Sequence, residues 1–113
     1  MIVVDIALAI ICFSGTCHNA LIGTKTPKGE YNMMHVYTED PGYGGDVLVF
    51  KDTPEKFYAL HRVWLLKPAQ KRAQRLKSND PKERVITSGC VNVSPEVYEE
   101  IVKCCSDQKL VIK

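Results

Sequence analysis

Several features that mark common protein classes are absent from this sequence. No apolar run approaches the roughly 18 residues that cross a bilayer as a helix, so a membrane span is not predicted. The 15 basic residues barely exceed the 13 acidic ones, and a net charge of +2 gives no broad basic surface for binding nucleic acid. Internal repeats, linkers and low-complexity segments are also missing. We therefore predict one globular, monomeric domain over residues 1–113.

The five cysteines do not form a metal-binding pattern. Their spacing contains no CxxC and no Cys/His set of the kind that zinc sites use, so neither a metal nor another cofactor is predicted. An odd count leaves at least one thiol unpaired within the chain. We expect Cys12, Cys104 and Cys105 to be small buried hydrophobic residues, the commonest fate of a free cysteine. A disulfide between Cys12 and Cys17 is the alternative for this pair.

The apolar stretch at residues 6–13 is predicted to be a strand, with a cleaved secretory signal as the alternative. A signal carries basic residues before its apolar region, whereas residues 1–5 contain one acid and no base. β-Branched residues such as Ile10 and Ile11 favour strands at residues 2–4 and 6–13.

Two turn-rich clusters, residues 23–29 and 40–45, separate the next strands. Residues 31–38 are predicted to form a short strand. Residues 46–50 and 56–63 flank a turn-like segment and predict a β-hairpin with a five-residue loop.

The alternation of the second hairpin strand indicates where its histidine points. A period of two places His61 on the face of Phe57, Ala59 and Val63, with Arg62 on the opposite face. A regular strand holds His61 rigidly, which makes it the best candidate for a functional histidine in this chain.

Two segments in the second half have helical features. Residues 67–77 contain five basic residues and no acid, with Pro68 suited to a helix start, and we favour a solvated helical face over a ligand-binding patch. A serine N-cap and an acid in the first turn flank Pro95, so a helix is predicted from there to about Cys105. Residues 110–112 are predicted to form the last strand.

Cys90 differs from the other cysteines in its context. It directly follows Gly89, and glycine permits a tight turn that lets the amides of both residues point at a developing oxyanion. A thiol becomes a good nucleophile when a neighbouring base deprotonates it, and His61 is the best candidate for that base. From these residues alone, a buried thiol and an unrelated surface histidine are the favoured interpretation.

Residues 87–92, TSGCVN, with Arg84 and His61 upstream, resemble the active-site motif of the YkuD-type L,D-transpeptidases, a histidine followed by [S/T]-x-G-C-x-N. Residues 26–31, TPKGEY, are similar to that family's Thr-Pro-x-Gly-x-aromatic segment. Together the matches run from residue 15 to about residue 101, in the family's order.

The resemblance implies a mostly β (α+β) fold, a twisted β-sandwich or collapsed barrel with one or two short helices and the nucleophile beside a groove. It also implies chemistry on peptidoglycan stem peptides, and therefore a location in the periplasm or cell wall. In that family the cysteine attacks the carbonyl of the third residue of a tetrapeptide stem, expels the terminal D-alanine and holds the peptide as a thioester. An amine from a neighbouring stem then forms a 3-3 cross-link, whereas water gives an L,D-carboxypeptidase.

Carried over to this chain, the resemblance makes Cys90 the nucleophile and His61 the general base. Turn hydrogen bonding and solvent contact are the alternatives for the supporting residues. The residues implied to support the motif or oxyanion are Gly89, Ser88, Thr87 and Asn92, and those implied to bind substrate are Arg84, Arg62 and Tyr43.

Three departures from the family pattern stand out. Ser88 lies where many members have histidine, and Arg62 follows His61 where glycine is usual. Residues 62–86 separate His61 from the motif, a longer stretch than the family commonly has, and the extra length is the basic segment 67–77. We expect that segment to form a helical lid at the edge of the groove.

The sequence thus predicts a cysteine-dependent enzyme on peptidoglycan stem peptides, an L,D-transpeptidase that forms cross-links or exchanges D-amino acids. An L,D-carboxypeptidase or a wall-damaging exchange enzyme is the alternative within enzymes. A non-catalytic peptidoglycan-binding module is the alternative from another class.

Overall fold

The computed structural model describes all residues from Met1 to Lys113 as two β-sheets with two short helices. The strands are β1 (Ile2–Asp5), β2 (Ile10–Phe13), β3 (Thr16–Asn19), β4 (Gly29–Tyr31), β5 (Met34–Tyr37), β6 (Asp46–Asp52), β7 (Phe57–Arg62), β8 (Val91–Val93) and β9 (Leu110–Ile112), and the helices are α1 (Arg72–Leu76) and α2 (Pro95–Cys104). One sheet has the order β3-β2-β1-β9-β4 and the other the order β5-β6-β7-β8. The predicted mostly β fold with short helices is confirmed, and neither sheet closes into a barrel.

The second sheet is antiparallel except at its last pair. β6 and β7 form the predicted hairpin, although its loop, residues 53–56, has four residues and not the five predicted. β7 then pairs with β8 in parallel, with His61 opposite Asn92. Parallel neighbours require a long crossover connection, and here residues 63–90 supply it. Partners in register project from the same face of a sheet, so His61 and Asn92 share a face with Cys90, two residues earlier.

Most of the buried apolar side chains form one core cluster to which both sheets and α2 contribute. The predicted cap of α2 is confirmed, because the side chain of Ser94 accepts a hydrogen bond from the amide of Val97. Burial of a side chain such as Ile101, which is fully enclosed, stabilises the fold by roughly 1.5–3 kcal/mol. Neither helix is long and apolar enough to cross a membrane.

Two strand predictions were wrong in their extent. Residues 6–9 form a turn, because the Asp5 carboxylate accepts the Leu8 amide at 3.1 Å and reverses the chain between β1 and β2. Residues 31–38 do not form one strand, because the chain crosses there from β4 in the first sheet to β5 in the second.

The basic segment 67–77 is not the continuous helix that we predicted. A 3-10 turn at Pro68–Gln70 and helix α1 are separated by Lys71, whose φ of 52° lies in the left-handed region. Leu76 is the single buried residue of the two turns, so the segment has no apolar stripe to stabilise a longer helix.

The cysteines also depart from expectation. Cys12 and Cys17, opposite each other on β2 and β3, form a disulfide, and the consecutive Cys104 and Cys105 form a second. The prediction that Cys12, Cys104 and Cys105 are buried free cysteines is therefore wrong in that all three are in disulfides, and of the three only Cys105 is buried. Cys90 is the one free cysteine, in agreement with the odd count.

Arg84 joins two distant parts of the fold. It is only 3% exposed, and its guanidinium donates to the carbonyls of Ala9 at 3.1 Å and Leu8 at 2.7 Å, and to that of Ser78. The carbonyls satisfy the buried cation and tie the turn after β1 to the crossover connection. The resemblance allows Arg84 either to support the loop or to bind a substrate carboxylate, and these contacts fit the first role.

We expect Arg84→Ala to lower the free energy of unfolding by about 2–4 kcal/mol, because it removes three hydrogen bonds that join distant segments and leaves a cavity in place of the guanidinium. Urea unfolding measures the change. The exposed neighbour Lys82 gives the control, since Lys82→Ala should cost less than about 0.5 kcal/mol. Equal losses in the two variants would contradict this role.

Candidate active site

The shared face of β7 and β8 borders a small pocket of about 160 Å³. Cys90 and His61, far apart in sequence, both line it, as the motif resemblance implied they should. The remaining lining residues come from the loop before β6, the crossover connection and the motif: Tyr43, Trp64, Lys67, Arg72, Thr87 and Ser88.

Hydrogen bonds fix the protonation of His61. Its Nδ1 lies 2.6 Å from the backbone carbonyl of Arg62, which can only accept, so Nδ1 carries the proton. Asn92 donates its amide nitrogen to Nε2 at 3.3 Å, so Nε2 presents a lone pair. Burial lowers the pKa of His61 to about 4, and the positive charge of Arg72 acts in the same direction. The ring is therefore neutral at physiological pH.

Asn92 is held so that its amide nitrogen must face the histidine. The side chain is fully buried, and its Oδ1 accepts from the Trp64 amide at 3.3 Å and from Arg72 Nη1 at 2.9 Å. Two donors at one end identify that atom as the oxygen. Arg72, Asn92 and His61 thus form a continuous chain of hydrogen bonds, which orients the ring.

The surroundings of Cys90 disfavour ionisation of its free thiol. Burial raises its pKa, and the Ala59 amide and the positive charges of Lys56 and Arg72 offset only part of that effect. Cys90 shares no hydrogen bond with His61, whose ring nitrogens are engaged by Arg62 and Asn92. The resting pair is a protonated thiol beside a neutral imidazole.

The motif loop is shaped by Thr87 and Gly89. Thr87 Oγ1 donates to the Cys90 carbonyl at 2.6 Å and accepts from the Gly89 amide at 3.2 Å. Gly89 has a φ of +137°, and a Cβ there would lie 2.5 Å from the Tyr58 ring, so only glycine fits. The Gly89 amide is thus engaged within the loop, whereas the Cys90 amide, the other expected oxyanion donor, makes no turn or loop hydrogen bond.

Lys56 and Ser88 close the outer side of this loop. The Lys56 ammonium donates to the Ser88 carbonyl and lies 4.6 Å from the centre of the Tyr58 ring. It adds a positive charge near Cys90 without entering the pocket. The side chain of Ser88, where the family often has histidine, makes no hydrogen bond, and the residue is exposed in the pocket wall.

Tyr43 stands at the junction of two cavities. Its ring lies 4.7 Å from that of His61 and 4.9 Å from that of Trp64, both edge-on. Gly42 makes this packing possible, because a Cβ there would lie 2.0 Å from the Trp64 ring. Tyr43 also lines a second, largely apolar groove of about 650 Å³ that runs along β5 and β6.

The two arginines expected to bind substrate lie outside the pocket. Arg62 projects to the opposite face of β7, where it pairs with Asp46 at 2.7 Å and with Glu99 and stacks on Tyr98. The alternation of the strand had predicted this direction. Arg62 and Arg84 thus contact other parts of the protein, and Tyr43 is the one member of the expected substrate-binding set that lines the pocket.

Sequence reasoning missed three pocket residues, Trp64, Lys67 and Arg72. Trp64 is the only tryptophan and follows His61 by three positions, a signal that could have singled it out. The interpretation of segment 67–77 as a solvated face was wrong for Arg72, which reaches inward to Asn92. Its sequence offered no pattern that separates an inward cation from its exposed neighbours.

The low pKa of His61 predicts a loss of stability in acid. The unfolded imidazole takes up a proton near pH 6.5, whereas the folded one does so only near pH 4, so between these values the unfolded state binds more protons. The free energy of unfolding should fall by about 3 kcal/mol over this window.

Urea unfolding of the wild type and of His61→Gln, compared between pH 7 and pH 4, isolates this contribution. The wild type should lose about 3 kcal/mol more than the variant. An NMR titration of the His61 ring in the wild type gives the pKa directly. A midpoint near that of free imidazole would refute the buried neutral assignment.

Solved structures share this fold at low sequence identity. An L,D-transpeptidase from Xylanimonas cellulosilytica, residues 123–326, superposes with a TM-score of 0.58 over 99% of this chain and 59% of that one, at 15% identity. L,D-transpeptidases from Mycobacterium smegmatis and Stackebrandtia nassauensis give TM-scores of 0.57 and 0.56 at 15% and 11% identity.

The chain spans 57% and 54% of the second and third structures, so it is little more than half as long as the proteins it matches. No protein-family model matches the chain, and no curated protein matches it significantly. The shared architecture covers 99% of the chain and shows that it has the fold of L,D-transpeptidase domains.

Proposed function

We propose that this protein is a cysteine-dependent acyltransferase that acts on peptidoglycan stem peptides, as an L,D-transpeptidase. One observation carries the proposal. The only free thiol, Cys90, lines the same small pocket as a histidine whose unprotonated Nε2 is fixed by hydrogen bonds. The fold shared with L,D-transpeptidases supports the choice of substrate.

In the first half-reaction, Cys90 Sγ attacks the peptide carbonyl while its proton passes to His61 Nε2. The amide of Cys90 donates to the developing oxyanion. The carbon–nitrogen bond then breaks, the proton on His61 moves to the departing amine, and the acyl group stays on sulfur as a thioester. An incoming amine attacks the thioester, loses a proton to His61, and the sulfur leaves and regains its proton.

The charge states of the resting site suit this general-base chemistry. The raised pKa of Cys90 keeps the thiol protonated, and the low pKa of His61 leaves its Nε2 unprotonated at neutral pH, so a proton acceptor is present in the pocket. Nε2 must exchange its 3.3 Å contact with Asn92 for the thiol when substrate enters. Hydrogen bonds of catalytic groups commonly tighten only in the substrate complex.

The disulfides support a location at the cell wall. Cys12–Cys17 and Cys104–Cys105 are of a kind that persists in oxidising compartments outside the cytosol. The proposed substrate is found there as well.

Purified tetrapeptide muropeptides, with products identified by mass spectrometry, test the proposal. We expect 3-3 cross-linked dimers or D-amino-acid exchange with the wild type, and none with Cys90→Ala. Release of D-alanine and tripeptide without dimers would instead identify an L,D-carboxypeptidase. Binding to sacculi without any turnover would identify a non-catalytic module and contradict the proposal.

A carbapenem, which resembles the acyl donor of the family, should add its mass to Cys90 alone. The other cysteines are held in disulfides and offer no thiol. Digestion and peptide mass mapping locate the adduct. Labelling elsewhere, or full turnover of muropeptides by Cys90→Ala, would overturn the assignment of the nucleophile.

A further inference from the structure

Arg72 is a half-buried cation with no acidic partner. Its Nε donates to Gln70 Oε1 at 2.8 Å and its Nη1 to Asn92 Oδ1 at 2.9 Å, and both acceptors are neutral. Arg62, in contrast, is paired with the carboxylates of Asp46 and Glu99. Burial lowers the pKa of Arg72, which shows that the guanidinium is desolvated without a compensating anion from the protein.

The pocket beside Arg72 contains a second cation and no acid. Lys67 lines the same wall, and its ammonium group forms neither a hydrogen bond nor an ion pair. No aspartate or glutamate is among the lining residues. Nη2 of Arg72 also has no acceptor in the structure, so the guanidinium retains a free donor. A half-buried guanidinium with a free donor nitrogen suits a carboxylate better than any neutral group.

We propose that Arg72, assisted by Lys67, forms a carboxylate-binding site in the wall of the pocket. This proposal rests on the proposed function. In the proposed reaction, the site selects acyl donors that carry a free carboxylate close to the attacked carbonyl. Arg72 and Cys90 line the same small pocket, so a carboxylate bound by Arg72 lies close to the sulfur. A cavity of about 160 Å³ accommodates a group of that size and little more.

The site depends on the basic segment that departs from the family pattern. Lys71 turns the chain with a left-handed φ of 52°, and Arg72 directly after it reaches Asn92 while Lys71 stays exposed. The segment therefore contributes to donor recognition through Arg72 and Lys67. Its other cations face solvent or bond to backbone carbonyls, as Arg75 does with Gln70 and Glu83.

Alkylation of Cys90 in the full chain tests the carboxylate site without any peptidoglycan. Iodoacetate and iodoacetamide carry the same reactive carbon, but only the first has a carboxylate next to it. The ratio of their rate constants at Cys90 therefore reports carboxylate binding. Any change in thiol pKa affects both reagents and cancels in the ratio.

We expect Arg72→Gln to lower the iodoacetate-to-iodoacetamide ratio by about tenfold, the value of one charge-assisted hydrogen bond. Arg72→Lys should retain part of the ratio, because it keeps the charge and loses the fork of donors. Lys71→Gln is the matched control, since it removes an equal charge from the adjacent exposed position and should leave the ratio almost unchanged.

An unchanged ratio in Arg72→Gln, or an equal fall in Lys71→Gln, would overturn the carboxylate site whether or not the protein turns over muropeptides. A second arm compares tetrapeptide donors with a free or an amidated carboxyl terminus. The wild type should prefer the free acid and Arg72→Gln should lose that preference. Absence of turnover with both donors, together with the expected alkylation ratios, would contradict the proposed function and leave the carboxylate site standing.

Discussion

The parallel pairing of β7 with β8 is the constraint on which the site depends. Its register places His61 opposite Asn92, and the two-residue period of β8 brings Cys90 to the same face. On its other side, Asn92 exchanges two backbone hydrogen bonds of 2.8 Å with Leu21. A shift of one residue would turn Cys90 and Asn92 to the opposite face and separate the thiol from the histidine.

Burial then sets the chemistry of the two reactive groups. Burial lowers the pKa of His61 and raises that of Cys90, so both side chains are uncharged at neutral pH. Arg72 reinforces the first effect and opposes the second, and through Asn92 it also orients the ring. One cation thus links the protonation, the geometry and the proposed substrate preference of the pocket.

The sequence predicted those features that local patterns determine. The hairpin of β6 and β7, the direction of Arg62 and the cap at Ser94 follow from alternation and turn chemistry. The motif resemblance selected Cys90 and His61 as the candidate pair, and both line one pocket. Features that depend on contacts between distant segments were missed. Arg72 hydrogen-bonds to Asn92, 20 positions away in the sequence, and Arg84 to Ala9, 75 positions away. No local sequence pattern indicates either contact. The engagement of the Gly89 amide by Thr87 likewise became visible only in the folded loop.

The pH dependence of Cys90 acylation by a carbapenem tests the central claim most directly, that a neutral His61 takes the proton of a neutral thiol. The account predicts a rate almost independent of pH between about 5 and 8, because both groups keep their reactive forms throughout. The rate should fall only as His61 is protonated near pH 4. A rate that instead rises about tenfold for each pH unit through neutrality would show that the thiolate reacts without help from His61, and would contradict the account.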